Sequence, residues 1–347
     1  MNQISDVYIL DARQISVQQP LSDEWMDKPL LYSDSYVRAI DPDYKQFFPA
    51  NTVRRLGKIL KRAMLTSKQV IEATGIQNPE AIITGTGFGC VENTELFLES
   101  MVNEGEEFLK PTSFMQSTHN TISSLIAIDT GSHGYNSTYT QKGISFDLAL
   151  LDAFVQLKGG LIKNALVGAH DEVTPTFNIL MQRIIDQNTF CSEASVSMML
   201  ASQKPSQTSS KPSQTSSPTL GAKPNDSMCK IENIKNIYRP DLHELQITAA
   251  QYSDVDAIMV NSEQTAEISR QLFPNKKLLK FSHLFGQSFS VSGLGIYAAA
   301  ICLKQNRIPA HFFIESNQQE QKDVRNILFY NQYENKNHTF ILLSCGN

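Results

Sequence analysis

Strand-like and helix-like runs alternate along the whole of this 347-residue chain, and that rhythm closes only as an α/β fold. Asp6–Leu10 (DVYIL) reads as a strand. Asn51–Met64 has apolar residues at helical spacing, with Asn51 placed to cap it. Ala81–Thr84 reads as a short buried strand running into the glycine-rich Gly85–Gly89, and Glu92–Val102 as a helix. Asn120–Ile128, made of small and apolar residues, has the composition of a buried helix. Gly134–Tyr139, the helix Ser145–Lys158 and the strands Ala165–Ala169 and Ala194–Ala201 follow. The rhythm then resumes with strand Cys229–Ile237, helix Glu244–Gln251, strand Ala257–Val260 and helix Glu263–Leu272. Strand Leu278–Phe281, helix Ser288–Lys304 and strand Phe340–Ser344 complete it. The alternation predicts largely parallel strands.

One segment breaks the texture. Residues 203–227 contain a perfect tandem copy of KPSQTSS, Lys204–Ser210 and Lys211–Ser217. Two polar copies cannot bury enough surface to offset their ordering entropy, nor stack into a repeat fold. The segment reads as a flexible loop inserted between 1–202 and 228–347.

Composition excludes several function classes. Lys+Arg number 30 against Asp+Glu 35, a net charge of −5, with no dense basic stripe for nucleic acid. The five cysteines form no CxxC pair and are odd in number, against a disulfide framework or a zinc site and in keeping with a reducing cytoplasm. None of the seven histidines has another three or four residues away, so no helix offers two imidazoles to one metal. No cofactor is expected. Met1–Asp11 lacks the basic and apolar regions of a signal peptide, and no run of about 18 apolar residues would span a membrane.

Three local patterns admit two readings each. Gly85, Gly87 and Gly89 follow a strand and precede a helix, where backbone amides could hold phosphate. Their G-x-G-x-G spacing is one residue short of the dinucleotide fingerprint and suits a tight turn better. Arg54, Arg55, Lys58, Lys61 and Arg62 form a basic run that could receive an acidic partner, or simply a solvated helix face. His170-Asp171-Glu172 could hold a general base or a structural histidine.

In order and spacing, the segments resemble a β-ketoacyl synthase, the condensing enzyme of fatty-acid and polyketide assembly. In the first half, Gly85–Gly89 resembles the family's G-t-g-x-G, Pro111-Thr112-Ser113-Phe114 with Asn120 its P-x-x-F…N, and Gly134 with Asn136 the approach to its nucleophile strand. Val167-Gly168-Ala169 through Glu172 resembles vGGxEa, and Ser192-Glu193-Ala194 the GEGA turn. In the second half, Val260–Thr265 parallels V-N-A-H-G-T, Gly286–Gly293 parallels G-H-x-x-G-A-A-G, and Ile308-Pro309 the iPp segment. The resemblance implies a thiolase-like, five-layered αβαβα fold of two similar halves, with 203–227 a loop inside one unit.

Such enzymes use a cysteine thiolate at a helix start and two histidines that assist decarboxylation and stabilise the resulting anion. Aligning Thr138–Gly143 with T-A-C-x-x-G puts Thr140 in the cysteine slot; a one-residue shift puts Gln141 there, as in chain-length factors. The histidine slots fall on Glu263 and Gln287, and the family's lysine on Ser282. The glycine-rich phenylalanine gate is absent from the Tyr333–Asn337 region, and the chain is short for a catalytic synthase.

The resemblance thus implies a catalytically silent subunit that pairs with an active ketosynthase as a heterodimer, or with itself, and meets an acyl carrier protein in fatty-acid or polyketide-type biosynthesis, such as that of aryl polyenes or flexirubin-like pigments. One alternative is an active, divergent synthase or acyltransferase with Thr140 as nucleophile and Glu263 as base, which requires hydrogen-bond reach between them. Another is an acyl-carrier-protein binding module using Arg54, Arg55, Lys58, Lys61 and Arg62.

Overall fold

The computed structural model of the chain describes residues 5–105, 109–184, 189–202, 227–315 and 318–346. Apart from Ser227, the inserted loop expected over 203–227 lies outside the described residues.

The first half contributes strands β1 (Val7–Ile15), β2 (Ala81–Gly85), β3 (Tyr135–Tyr139), β4 (Asn164–Asp171) and β5 (Ala194–Ala201). Its longer helices are α1 (Lys58–Thr74), α2 (Val91–Glu104), α3 (Thr121–Thr130) and α4 (Ser145–Lys158). The second half contributes β6 (Cys229–Tyr238), β7 (Ala257–Val260), β8 (Lys277–Lys280), β9 (Asn326–Tyr333) and β10 (Asn337–Ser344). With them come α5 (Leu242–Ala250), α6 (Glu263–Leu272) and α7 (Val291–Lys304).

The strand order is β8-β7-β9-β10-β6-β1-β5-β4-β2-β3. Each half therefore repeats one five-strand topology, β3-β2-β4-β5-β1 and β8-β7-β9-β10-β6. In both, the second strand (β2 or β7) pairs in parallel with its two neighbours, and the last two pairings are antiparallel. The two join where Val7, Tyr8 and Ile9 pair antiparallel with Ile231, Lys230 and Cys229. The largely parallel expectation is corrected to a mixed sheet, because β5, β10 and the seam each reverse direction.

Layering follows from where apolar surface lies. Helix α7 (VSGLGIYAAAICLK) is apolar all round, and a helix of that kind must be buried on every side. All but its last residue is buried. It packs with α4 between the halves and touches strands of both, including β5 and β9. Glycines make the approach possible: a Cβ on Gly293 would meet the Ala169 Cβ at 2.3 Å, and one on Gly295 the Phe329 ring at 2.3 Å. Helices α1 and α3 cover the outer face of the first half, and α5 and α6 that of the second. Three larger apolar cores result, a principal one around α4 and α7 and one beneath each outer layer, with a small fourth cluster of Val173, Met181, Cys191 and Phe289. This is the five-layered thiolase-like arrangement.

Several local expectations are corrected. The single helix expected over Asn51–Met64 is two, Ala50–Arg55 and α1, because Leu56 and Gly57 are extended; Pro49, not Asn51, precedes the first. Helix α3 is only partly buried, with Ile128 76% exposed. The helix expected over Ser288–Lys304 starts at Val291. Strand β9 is an addition, turning into β10 through Glu334 and Asn335, both at positive φ.

Candidate functional site

The carboxyl ends of the parallel strands bring the two halves' loops together. After β8, Gly286 takes φ +72°, which favours glycine, and a Cβ there would meet Phe190 at 2.6 Å. The loop is then pinned by its backbone: Gln287 N donates to Phe190 O (2.8 Å) and Ser192 N to Gln287 O (3.0 Å). The Gln287 side chain donates from Nε2 to Asn261 O (3.1 Å), just beyond β7. Ser262 caps α6 by accepting from Thr265 N (3.2 Å), leaving Glu263 in the first turn. Glu263 pairs with Arg270 (3.1 Å) and Lys280 (3.8 Å).

Glu263 and Gln287 line one cavity of about 620 Å³, together with Gly143, Asn261, Phe289 and Tyr333. At this boundary between the halves, Asn331 on β9 donates to Gly143 O (3.1 Å) and to Asp147 in the first turn of α4. Asn261 in turn donates to Asn331 Oδ1 (2.8 Å) and accepts from Thr265 Oγ1 (2.8 Å). Burial pushes the Asp147 carboxyl up to about 6. Aromatic rings fill the adjacent space. Phe289 lies where a Gly87 Cβ would be (2.2 Å) and Tyr333 where a Gly143 Cβ would be (2.4 Å). Phe88 contacts Phe289 and Phe177 at ring-centroid distances of 4.7 and 5.1 Å.

The other slot residues lie elsewhere. Thr140 is exposed and lines an open depression with Thr94, Ser117, Thr118, His119, Asn120 and Thr138, so it does not share a cavity with Glu263. Gln141 is exposed too. Ser282 is buried at the head of the short helix Ser282–Phe285, outside the Glu263 cavity. All five cysteine thiols are pushed up, chiefly by burial, Cys191 to about 12. No cysteine here has the microenvironment of an activated thiolate.

The glycine-rich loop is occupied from within the chain, although burial pushes the Asp171 carboxyl above its ordinary range. Asp171 Oδ1 accepts from Thr86 Oγ1 (2.7 Å), Gly87 N (2.9 Å) and Phe88 N (3.0 Å), so amides that could face phosphate face a carboxyl group. Next door, His170 is fully buried with Nδ1 2.7 Å from Ser195 Oγ, and burial pulls its pKa down to about 3. It is a neutral core residue. Within the basic run, Arg54 and Arg55 are exposed and Lys58 and Lys61 partly so, but Arg62 is 1% exposed. It bonds Asp41 (2.6 and 2.9 Å) and Glu193 (2.9 Å), which removes it from any docking face. Among the described residues no cluster of three or more His, Cys, Asp or Glu could hold a metal, and no helix is long and apolar enough to cross a membrane.

Sequence reasoning missed Asp147, Asn331 and the network joining them. The available signal was a polar Asn-Gln pair inside the apolar run Ile327–Tyr333.

The family description "Beta-ketoacyl synthase, N-terminal domain" matches residues 24–252. No curated protein sequence matches. Solved structures resemble the chain over nearly its full length. The ishigamide ketosynthase/chain length factor is 12% identical, with 99% of this chain and 100% of that chain covered and a TM-score of 0.77. A ketosynthase in complex with its chain length factor from Xenorhabdus doucetiae is 13% identical, covering 100% and 99% at 0.71. A type II polyketide synthase acyl-carrier protein in complex with its ketosynthase bound to a hexaketide is 13% identical, covering 98% and 99% at 0.76. At these identities the likeness is one of fold.

Proposed function

Because the chain belongs to the β-ketoacyl synthase family, we propose that it is a catalytically silent synthase-like subunit that pairs with an active ketosynthase in a polyketide-type pathway. The chemistry of the Glu263–Gln287 cavity carries this reading. It offers a carboxylate already ion-paired and an amide already hydrogen-bonded, and no cysteine lines it. A carboxylate opposes the negative charge that develops in decarboxylative condensation, and an amide cannot deliver the proton a histidine can. A pairing role draws support from the open edge of β3 and from exposed Tyr135 and Ile128 around it, a surface suited to strand addition and apolar contact. The similar structures, a ketosynthase with its chain length factor and a ketosynthase with its carrier protein, support the same partners. An active site built from Thr140 and Glu263 gains no support, since the two line separate depressions.

The test is co-expression with the ketosynthase and carrier protein of the same organism. The expected result is a stable complex with the ketosynthase and no acyl adduct on this chain after incubation with acyl- or malonyl-carrier protein, read by intact mass. An adduct abolished by Thr140→Ala, or a chain that binds no ketosynthase, overturns the reading.

A further inference from the structure

Two thiols stand opposite each other where the last strand runs out beside the seam between the halves. Ser344 on β10 pairs with Lys230 on β6, and the antiparallel register carried one residue further sets Cys345 against Cys229. On its other side Cys229 pairs with Ile9 of β1. Cys345 N donates to Arg325 O (2.8 Å), so the Cys345 backbone faces the β9 side and turns away from Cys229. In an antiparallel pair without mutual hydrogen bonds, opposed Cα atoms lie about 4.5 Å apart and the side chains are at their closest. A disulfide joins Cα atoms about 4.4–6.8 Å apart.

Both side chains take the same face of the sheet. Cys229 is fully buried in the principal core around α4 and α7, and Cys345 packs against that core. The two sulfurs are near enough that charge on Cys345 adds to the effect of burial in raising the Cys229 thiol. Both thiols are free, and Cys345 is the one cysteine of the five that is partly exposed. Its Sγ donates to Val324 O (3.0 Å), a weak bond that a turn toward Cys229 gives up at little cost. The other three have no such neighbour: Cys302 lies in α7, Cys90 precedes α2, and Cys191 pairs with Tyr36.

We propose that Cys229 and Cys345 are a modification site, a thiol pair that a small-molecule disulfide of the glutathione class converts to a cross-strand disulfide. Cys345 gives its proton to solvent and its sulfur attacks one sulfur of oxidised glutathione, whose S–S bond breaks and releases one glutathione thiol. Cys229 then loses its proton and attacks Cys345 Sγ, forming the protein S–S bond and expelling the second glutathione. Two protein thiols are oxidised by two electrons, and one glutathione disulfide is reduced to two thiols. Burial keeps both cysteines protonated at neutral pH, so the exchange quickens as pH rises. The bond closes residues 229–345, nearly all of the second half, into one covalent ring and so restricts its unfolded chain. None of this depends on the pairing reading above.

The test incubates the native full-length chain with oxidised glutathione at about pH 8.5, unfolds it in an alkylating agent and maps the peptides. The expected product is a peptide joining Cys229 to Cys345, with Cys90, Cys191 and Cys302 alkylated. Its melting temperature rises by roughly 5 °C and falls back on reduction with dithiothreitol. Cys229→Ser stops the reaction at the first exchange and leaves glutathione on Cys345, whereas Cys345→Ser leaves the shielded Cys229 unmodified. The wild-type map decides by itself if either variant folds poorly. Glutathione retained on wild-type Cys345, both thiols still alkylated, or a linkage between any other two cysteines overturns the proposal. So does a linked chain that melts below the reduced one, since its bond would have formed at the expense of the native register.

Discussion

Asp171 and Glu172 are adjacent, both buried, and differently served. Asp171 receives three donors on one oxygen, whereas Glu172 receives a single amide; burial pushes both carboxyls up, that of Glu172 to about 7. An acid whose folded pKa lies above its unfolded value near 4.5 favours the folded state at low pH and loses that advantage as pH rises through about 7. Relative to wild type, Glu172→Gln is therefore expected to gain about 2 kcal/mol of stability between pH 5 and pH 8, measured by urea unfolding at each pH. A difference that stays flat would mean Glu172 is not held protonated. The difference in donors between the neighbours was not legible in His170-Asp171-Glu172, because it depends on the Thr86 hydroxyl and the amides of residues 87, 88 and 92 arriving from elsewhere. The same holds for Arg62. Its spacing put it on a basic face, but its burial is set by Asp41 and Glu193, 21 and 131 positions away.

Among the elements, β3 is the open edge of the ten-stranded array. Tyr135 N donates to Glu80 O and Tyr139 O accepts from Thr86 N, so the backbone groups of Asn136 and Thr138 turn to the open side. Asn136→Pro removes an amide that serves only an added strand, at the expense of one side-chain bond to Ser123 O (3.1 Å). The expected outcome is loss of ketosynthase binding with a stability change of about 1 kcal/mol; unchanged binding would exclude strand addition at this edge. Element type was largely legible because the strands and helices differ in apolar period, and α7 stood out as apolar throughout. Boundaries were less so. The extended Leu56–Gly57 break leaves no mark in the periodicity, and β9 was missed because its Asn331 and Gln332 interrupt an apolar run for reasons that lie across the molecule.

For the whole molecule, α4 and α7 form one layer shared by both halves, so neither half has a core of its own on that side. Trp25, the single tryptophan, sits in the same layer with its ring 5.1 Å from Phe285 and 6.0 Å from Phe312. Urea unfolding followed by Trp25 fluorescence and by far-UV circular dichroism is expected to give coincident transitions. Separated midpoints would show that the halves unfold independently. Cavity chemistry was less legible than fold, since alignment of motifs names slot residues without saying which depression each enters; Thr140 and Glu263 are the example.

The seam at β1 also bears on how the protein is made. Residues 7–15 can complete their pairing only with residues 195–201 on one side and 229–231 on the other. A nascent chain must therefore keep this apolar strand unpaired while some two hundred further residues leave the ribosome. Contacts of that sequence separation slow folding and expose a strand edge to aggregation, so supply of this subunit should depend on translation rate and chaperone capacity.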